Sequence, residues 1–235
     1  MAERNFRHEL KYLISSAEIE LIKQRISPLV LPDSHVGSEG TYSIRSLYFD
    51  DYENRCMKEN ENGTDPREKF RIRIYNHSTD RIMLECKRKE RGKTLKTSCP
   101  LSVEQTKMLM CGKPLPDIQS QPPLLRKFTM EMLTRKLHPV VIVEYNRIPY
   151  VYKNGNVRIT FDTNISSSVA IDQFLCEKLP TRPVMPIGQH LLEVKYDEFL
   201  FDPIYNSLQL HNFADRSESY WLCSTCCCRW KCQGH

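Results

Sequence analysis

The sequence predicts an α+β fold, mainly antiparallel β, with helices packed on the strands. Three observations carry this reading: short runs alternate polar and apolar residues, turn signals fit hairpins, and helix-start signatures sit between the strands. With 235 residues, the chain suits one domain of ordinary size with a single core.

The elements follow in order. Arg7 to Ile14 reads as a strand, and Ser15-Ser16-Ala17-Glu18 opens a helix in which Ser15 and Glu18 fit a capping box, running to about Pro28. After a loop from Asp33 to Gly40, Ile44 to Phe49 alternates as a strand, and Glu59 to Pro66 reads as a polar turn centred on Asn62-Gly63. Phe70 to Tyr75 and Arg81 to Lys89 are strands, and Glu90-Arg91-Gly92-Lys93 is a hairpin turn into a strand over Thr94 to Cys99. Ser102 to Gln105 opens a short helix that stops at Gly112, and the proline-rich stretch Pro114 to Pro123 feeds a second helix ending near His138. Val140 to Arg147 and Val157 to Asp162 pair as strands joined through Lys153-Asn154-Gly155-Asn156. Leu191 to Tyr196 is another strand, and Asp202 to Leu210 a last short helix.

Side chains two apart on a strand share a face, and that rule sorts the charges. Arg71 and Arg73 lie opposite Phe70, Ile72 and Ile74; Glu85 and Lys87 lie opposite Leu84 and Cys86. Glu9 pairs with Lys11, Tyr145 with Arg147, Glu193 with Lys195, and Arg158, Thr160 and Asp162 share a face opposite Val157, Ile159 and Phe161. On one strand this is an ordinary solvated face. Arginine recurs across the set, however, and its planar fork suits bidentate phosphate binding. Closed into a barrel with these faces inward, the strands would line it with cations, each needing a partner or water; a bound polyanion and a divalent metal would supply them.

Bulk properties narrow the classes. A formal charge of +5 with basic residues spread along the chain does not indicate a nucleic-acid coat, though a local anion site stays open. No apolar run reaches the length of a membrane helix and the first residues are charged, so the reading is a soluble, cytoplasmic protein. Cys56, Cys86, Cys99, Cys111 and Cys176 are scattered and read as reduced thiols. Cys223, Cys226, Cys227, Cys228 and Cys232 crowd the end with no loop between two ligand pairs, which fits an irregular tail better than structural zinc.

Six segments, in their order and spacing, resemble the VTC domain of polyphosphate polymerases, a branch of the triphosphate tunnel metalloenzymes: Phe6 to Tyr12, Arg45 to Asp50, Lys69 to Arg73, Leu84 to Lys87, Val143 to Arg147 and Leu191 to Tyr196. The resemblance implies a catalytic domain over residues 1–222 and a cysteine-rich tail over 223–235, the domain being a closed antiparallel β-barrel tunnel with helices outside. It further implies transfer of the γ-phosphoryl group of ATP to inorganic polyphosphate with release of ADP, and no nucleic-acid partner.

By residue, the resemblance places Arg71, Arg73, Lys87 and Arg147 in catalysis, Lys11, Lys96, Tyr145, Arg158 and Arg216 at the substrate, and a divalent metal, manganese or magnesium, on Glu193. Tyr145 is open to two readings, orienting a phosphate oxygen or packing in the core. Glu9 and Glu85 are likewise open, as further metal contacts or as salt-bridge partners of the lysines. Arg7 stands where the wider tunnel family carries the first carboxylate of a Glu-x-Glu-x-Lys strand, which favours polymerase over tunnel phosphatase. Ser219 stands where a lysine is expected, with Arg216 at the basic position before it. Three other readings stay beside polymerase: a tunnel triphosphatase using water as acceptor, a silent binding module for polyphosphate or inositol phosphates, and processing of RNA triphosphate ends. The last lacks an aromatic and basic surface signature.

Overall fold

The structure, a computed structural model, describes residues 6–34, 36 and 40–208. It is an α+β fold dominated by antiparallel strands. In chain order these are β1 (His8–Ser15), α1 (Ser16–Ile26), β2 (Leu31–Pro32), β3 (Tyr42–Asp50), α2 (Arg55–Glu61), β4 (Arg67–Tyr75), β5 (Ser78–Glu90), β6 (Lys93–Leu101), α3 (Val103–Met110), α4 (Pro123–Arg135), β7 (His138–Tyr152), β8 (Val157–Ser168), β9 (Arg182–Pro183), β10 (Gln189–Tyr196) and α5 (Asp202–Leu208). The described residues fall into two compact units. One holds those up to Tyr42, Tyr145–Ile165 and those from Met185; the other holds Ser43–Glu144 and Ser166–Val184. Strands β7 and β8 contribute residues to both.

In the first unit β10 lies between β1 and β8, with Lys11 opposite Glu193, Glu9 opposite Lys195, Glu193 opposite Thr160 and Lys195 opposite Arg158. This register puts every charged pair found by alternation on one face. The other face carries Tyr12, Ile159, Phe161, Leu192 and Val194, and buries them against Ile19, Ile22 and Ile26 of α1 and Ile204 and Leu208 of α5. The spacing of the α1 isoleucines gives one apolar stripe, and the helix starts where expected, with the Ser15–Glu18 capping box formed in both directions.

In the second unit β4 lies between β3 and β5, and β6 pairs with β5. Both hairpins turn through two residues with positive φ, Asn76-His77 and Arg91-Gly92, the geometry that matches the twist of paired strands. One face supplies Phe70, Ile72, Ile74, Leu84 and Cys86 to a core with Leu109 of α3 and Leu125, Phe128 and Met132 of α4. The opposite face carries Ser46, Tyr48, Arg71, Arg73, Glu85 and Lys87.

Three expectations need correction. The closed barrel is not formed by the ladders: among the described residues β1 and β6 each pair with one neighbour. The chemistry of β6 suits an exposed edge, with Lys93, Lys96 and Pro100, which has no N–H to offer a further strand. The polar turn read from Glu59 begins inside a helix, α2. Its first amide groups are satisfied from outside the usual capping position, since Asp50 at the end of β3 accepts from the N–H groups of Cys56 and Met57 and Asp51 from that of Arg55. Finally, α4 stops at Arg135, where Lys136 turns left-handed, and β7 begins at His138 and runs to Tyr152 rather than ending near Arg147.

The scattered cysteines Cys56, Cys86, Cys99, Cys111 and Cys176 are free thiols. Among the described residues, no helix is long and apolar enough to cross a membrane. Arg216, Ser219 and the cysteine-rich tail lie outside the described residues.

Candidate functional site

The second unit presents a cationic surface built from predicted residues. Glu85, 2% exposed, is its centre. The Nε of Arg71 donates to Glu85 Oε2 at 2.8 Å, Arg73 Nη1 stands 3.6 Å from the same oxygen, and Lys96 Nζ donates to Oε1 at 3.1 Å. Burial opposes the carboxylate charge, but Arg71, Arg73 and Lys96 outweigh it and hold Glu85 well below the usual carboxylate range. Glu85 thus pairs with Arg71, Arg73 and Lys96, not with the Lys87 beside it on its own strand.

Strand β3 orients the two arginines from the other side. Arg71 donates to the Tyr48 hydroxyl at 3.1 Å and its guanidinium lies over that ring. The Nε of Arg73 donates to Ser46 Oγ at 3.2 Å. Burial pushes the Tyr75 phenol, on the same face of β4, up, but Arg73 and Lys96 outweigh it and bring its pKa below the ordinary tyrosine value. One residue pair further along, Lys69, Lys87 and Lys96 stand in register across three strands. Like charges directly opposite one another are unfavourable, and Lys96 meets its share through Glu85.

The first unit gathers the other predicted residues into a network with more negative charge. Arg147 is committed to Asp162 through a bidentate pair, Nε to Oδ1 and Nη2 to Oδ2, both at 2.6 Å, and lies over the Tyr145 ring with 5.3 Å to the centroid. Tyr145 therefore packs beneath a guanidinium. Burial disfavours the Arg147 charge, but Asp162, Tyr145 and Glu193 hold it protonated. Lys11 Nζ lies 3.1 Å from Glu193 and 3.5 Å from Glu9; burial again opposes the charge, and Glu193, Glu9 and Asp162 raise its pKa above the ordinary lysine value. Arg158, the most open of the set, donates to the Tyr42 hydroxyl at 3.1 Å and pairs with Asp33 at 2.8 Å.

Glu193 is ringed by Lys11, by Lys195 at 2.5 Å and by Arg147 at 3.5 Å. Among the described residues no three His, Cys, Asp or Glu side chains group to hold a metal ion. This donor set does not fit a metal held by the protein alone, because the carboxylate oxygens already answer cations.

Sequence reasoning thus brought Arg71, Arg73, Lys87 and Lys96 to one face, and Lys11, Tyr145, Arg147, Arg158 and Glu193 to another. It passed over Ser46, Tyr48 and Asp162 as partners. Their signal was the same period of two: Ser46 and Tyr48 share a face, opposite Leu47. Arg45 shows the limit of charge as a signal. It is fully buried on the far face, paired with Glu144 and donating to the carbonyls of Phe174, Cys176 and Glu177, so it fixes a chain segment instead of facing a ligand.

A profile of the VTC domain family matches residues 6–222. Similar solved structures include a candidate adenylate cyclase from Bacillus halodurans (16% identity, 90% of this chain and 93% of that chain covered, TM-score 0.48). A candidate adenylyl cyclase from Hippeastrum with a dominant triphosphatase activity is another (13% identity, 90% and 86% covered, TM-score 0.47). A conserved hypothetical protein from Pyrococcus furiosus is a third (10% identity, 94% and 99% covered, TM-score 0.48). No curated protein matches the sequence.

Proposed function

The chain belongs to the VTC domain family, and on that premise we propose that it is an ATP-dependent polyphosphate polymerase. An oxygen of the terminal phosphate of the chain attacks the γ-phosphorus of ATP; the bond from that phosphorus to the β,γ-bridging oxygen breaks, and ADP leaves with the electron pair. The acceptor is already anionic, so no strong base is required, and the protein's task is alignment and charge neutralisation.

The single observation that supports this reading best is the face of β4, β5 and β6. Arg71 and Arg73 are preset by Glu85, Tyr48 and Ser46, so little reorganisation is needed when phosphate oxygens arrive. Lys87 and Lys96 extend the cationic surface along the strands. Arg147 is proposed to act from a guanidinium held by Asp162 through two of its nitrogens. Lys11 and Arg158 are proposed to assist at the substrate.

The test is incubation of purified protein with ATP and manganese, with and without a short polyphosphate primer. Products are resolved on a gel stained for polyphosphate while ADP and free phosphate are assayed. Polymer with stoichiometric ADP is expected. Free phosphate without polymer would replace the reading by a triphosphatase, and binding without turnover by a silent module. Metal dependence is tested separately at Glu193: because its oxygens already meet Lys11, Lys195 and Arg147, Glu193→Gln is expected to leave the response to manganese or magnesium unaltered, and a weakened response would return Glu193 to a metal role.

A further inference from the structure

The β4–β5 hairpin that presents Arg71 and Glu85 on one face carries a second charged feature on the other. Glu68, Phe70 and Arg88 alternate with the site residues, and together with α2 and α4 they line a cavity of about 380 Å³. That size falls at the lower end of small-molecule sites, roughly 300–1,000 Å³, but the lining is unlike the usual apolar pocket. Arg55, Arg88, Lys127 and Arg135 border it, against Glu59, Glu68 and Glu131.

The carboxylates are stretched between these cations. Glu68 is shared between Lys127 and Arg88, whose Nη1 it meets at 3.5 Å while Nε and Nη2 of Arg88 serve Glu90, and Glu131 between Arg135 at 3.1 Å and Arg55 at 3.9 Å. Arg55 has carboxylates of Asp51, Glu59 and Glu131 at 3.6, 3.6 and 3.9 Å, each beyond a good hydrogen bond. Its Nε is buried and meets no acceptor. A buried donor left unmade is costly, and an anion with several oxygens, seated among planar forks, is the chemistry that satisfies it.

We propose that this outer cavity binds an oligophosphate anion, separately from the Arg71–Arg73 face. The ligand chemistry is that of linked phosphate groups, supplied by a free inorganic chain or by the triphosphate of a nucleotide. The site stands on residues that the polymerase reading does not use.

The test is calorimetric titration of inorganic tripolyphosphate into the full chain, in wild type, in Arg55→Gln with Arg135→Gln, and in Arg71→Ala with Arg73→Ala. Two equivalents are expected for wild type and one for each double variant. Two equivalents retained by the Arg55 and Arg135 variant overturn the proposal, as does a single wild-type equivalent that only the Arg71 and Arg73 variant loses. Loss confined to the Arg55 and Arg135 variant leaves the outer site standing and counts against the polymerase face. Should that variant fail to melt cooperatively, Lys127→Ala, on a side chain 44% exposed, replaces it, with about tenfold weakening of the outer equivalent expected and unchanged affinity counting against it. The same titration with ATP separates the sources. Equal binding assigns a nucleotide's triphosphate, binding of tripolyphosphate alone assigns an inorganic chain, and binding of neither overturns the site.

Discussion

The polar faces of the two units are built by the same strand alternation and differ in charge balance. In the first unit Lys11, Arg147, Arg158 and Lys195 meet Glu9, Asp33, Asp162 and Glu193, so nearly every cation has its own carboxylate. In the second, Arg71, Arg73 and Lys96 converge on the one carboxylate of Glu85, with Lys69 and Lys87 in the adjacent row. A balanced network is mostly a statement about stability. Several cations gathered on one buried carboxylate form an arrangement suited to an external anion, and on the proposed reading the second unit carries most of the phosphate affinity.

The largest expected effect sharpens this contrast. Glu85→Gln removes the hub and leaves buried guanidinium groups without their carboxylate, a change that typically costs about 3–5 kcal/mol. Urea unfolding should show that loss, and tripolyphosphate should restore part of it, about 2.7 kcal/mol at a hundredfold excess over Kd. Glu193→Gln should cost less, because Arg147 keeps Asp162 and Lys11 keeps Glu9, and phosphate should restore little. Equal rescue of the two variants would break the comparison.

Next in size is activity. Arg71→Ala or Arg73→Ala should lower turnover of ATP by about 10²–10³-fold, the loss seen when one preset donor to a developing charge is removed. The apolar side of β4 packs independently of these side chains, so the cooperative melt should survive. Full activity in both variants, or unfolding of both, would count against the face.

The two units should also part company with pH. Glu85 has a lowered pKa in the folded state, so its stabilisation is complete above the ordinary carboxylate range near about 4.3 and is lost as pH falls below it towards the folded value. Lys11 has a raised one, so its stabilisation is complete below about 10.4 and is lost as pH rises beyond that. Denaturant midpoints measured across pH should show acid loss that Glu85→Gln flattens and alkaline loss that Lys11→Met flattens; the reverse pairing would refute the assignment. The smallest effect is Arg158→Ala. Its partly exposed pair with Asp33 should be worth at most about 1 kcal/mol in the same unfolding assay.

Much of this is legible in the order of the residues alone. The period of two places Arg71, Arg73, Glu85 and Lys87 opposite Phe70, Ile72, Leu84 and Cys86 because a strand's pleat leaves no other choice. The capping boxes at Ser15 and Ser102 and the turn at Arg91-Gly92 are equally local, each a contact closed within four residues. The helix over Arg55–Glu61 is not legible in this way, because its cap comes from Asp50 on the preceding strand.

What the sequence could not decide was partnership. Arg45 and Arg71 look alike as arginines on neighbouring strands, yet one ends among the carbonyls of Phe174, Cys176 and Glu177 and the other at Glu85 and Tyr48. Glu85 and Glu193 look alike as carboxylates beside a lysine, yet one gathers Arg71, Arg73 and Lys96 and the other sits in a network with Asp162 and Glu9. The sequence by itself determined the faces, since the direction of a side chain follows from the dihedral angles of its own backbone. The charge balance of each face was decided only by the tertiary structure, since Coulomb interactions act between groups that strand order and register bring within a few ångströms from distant parts of the chain.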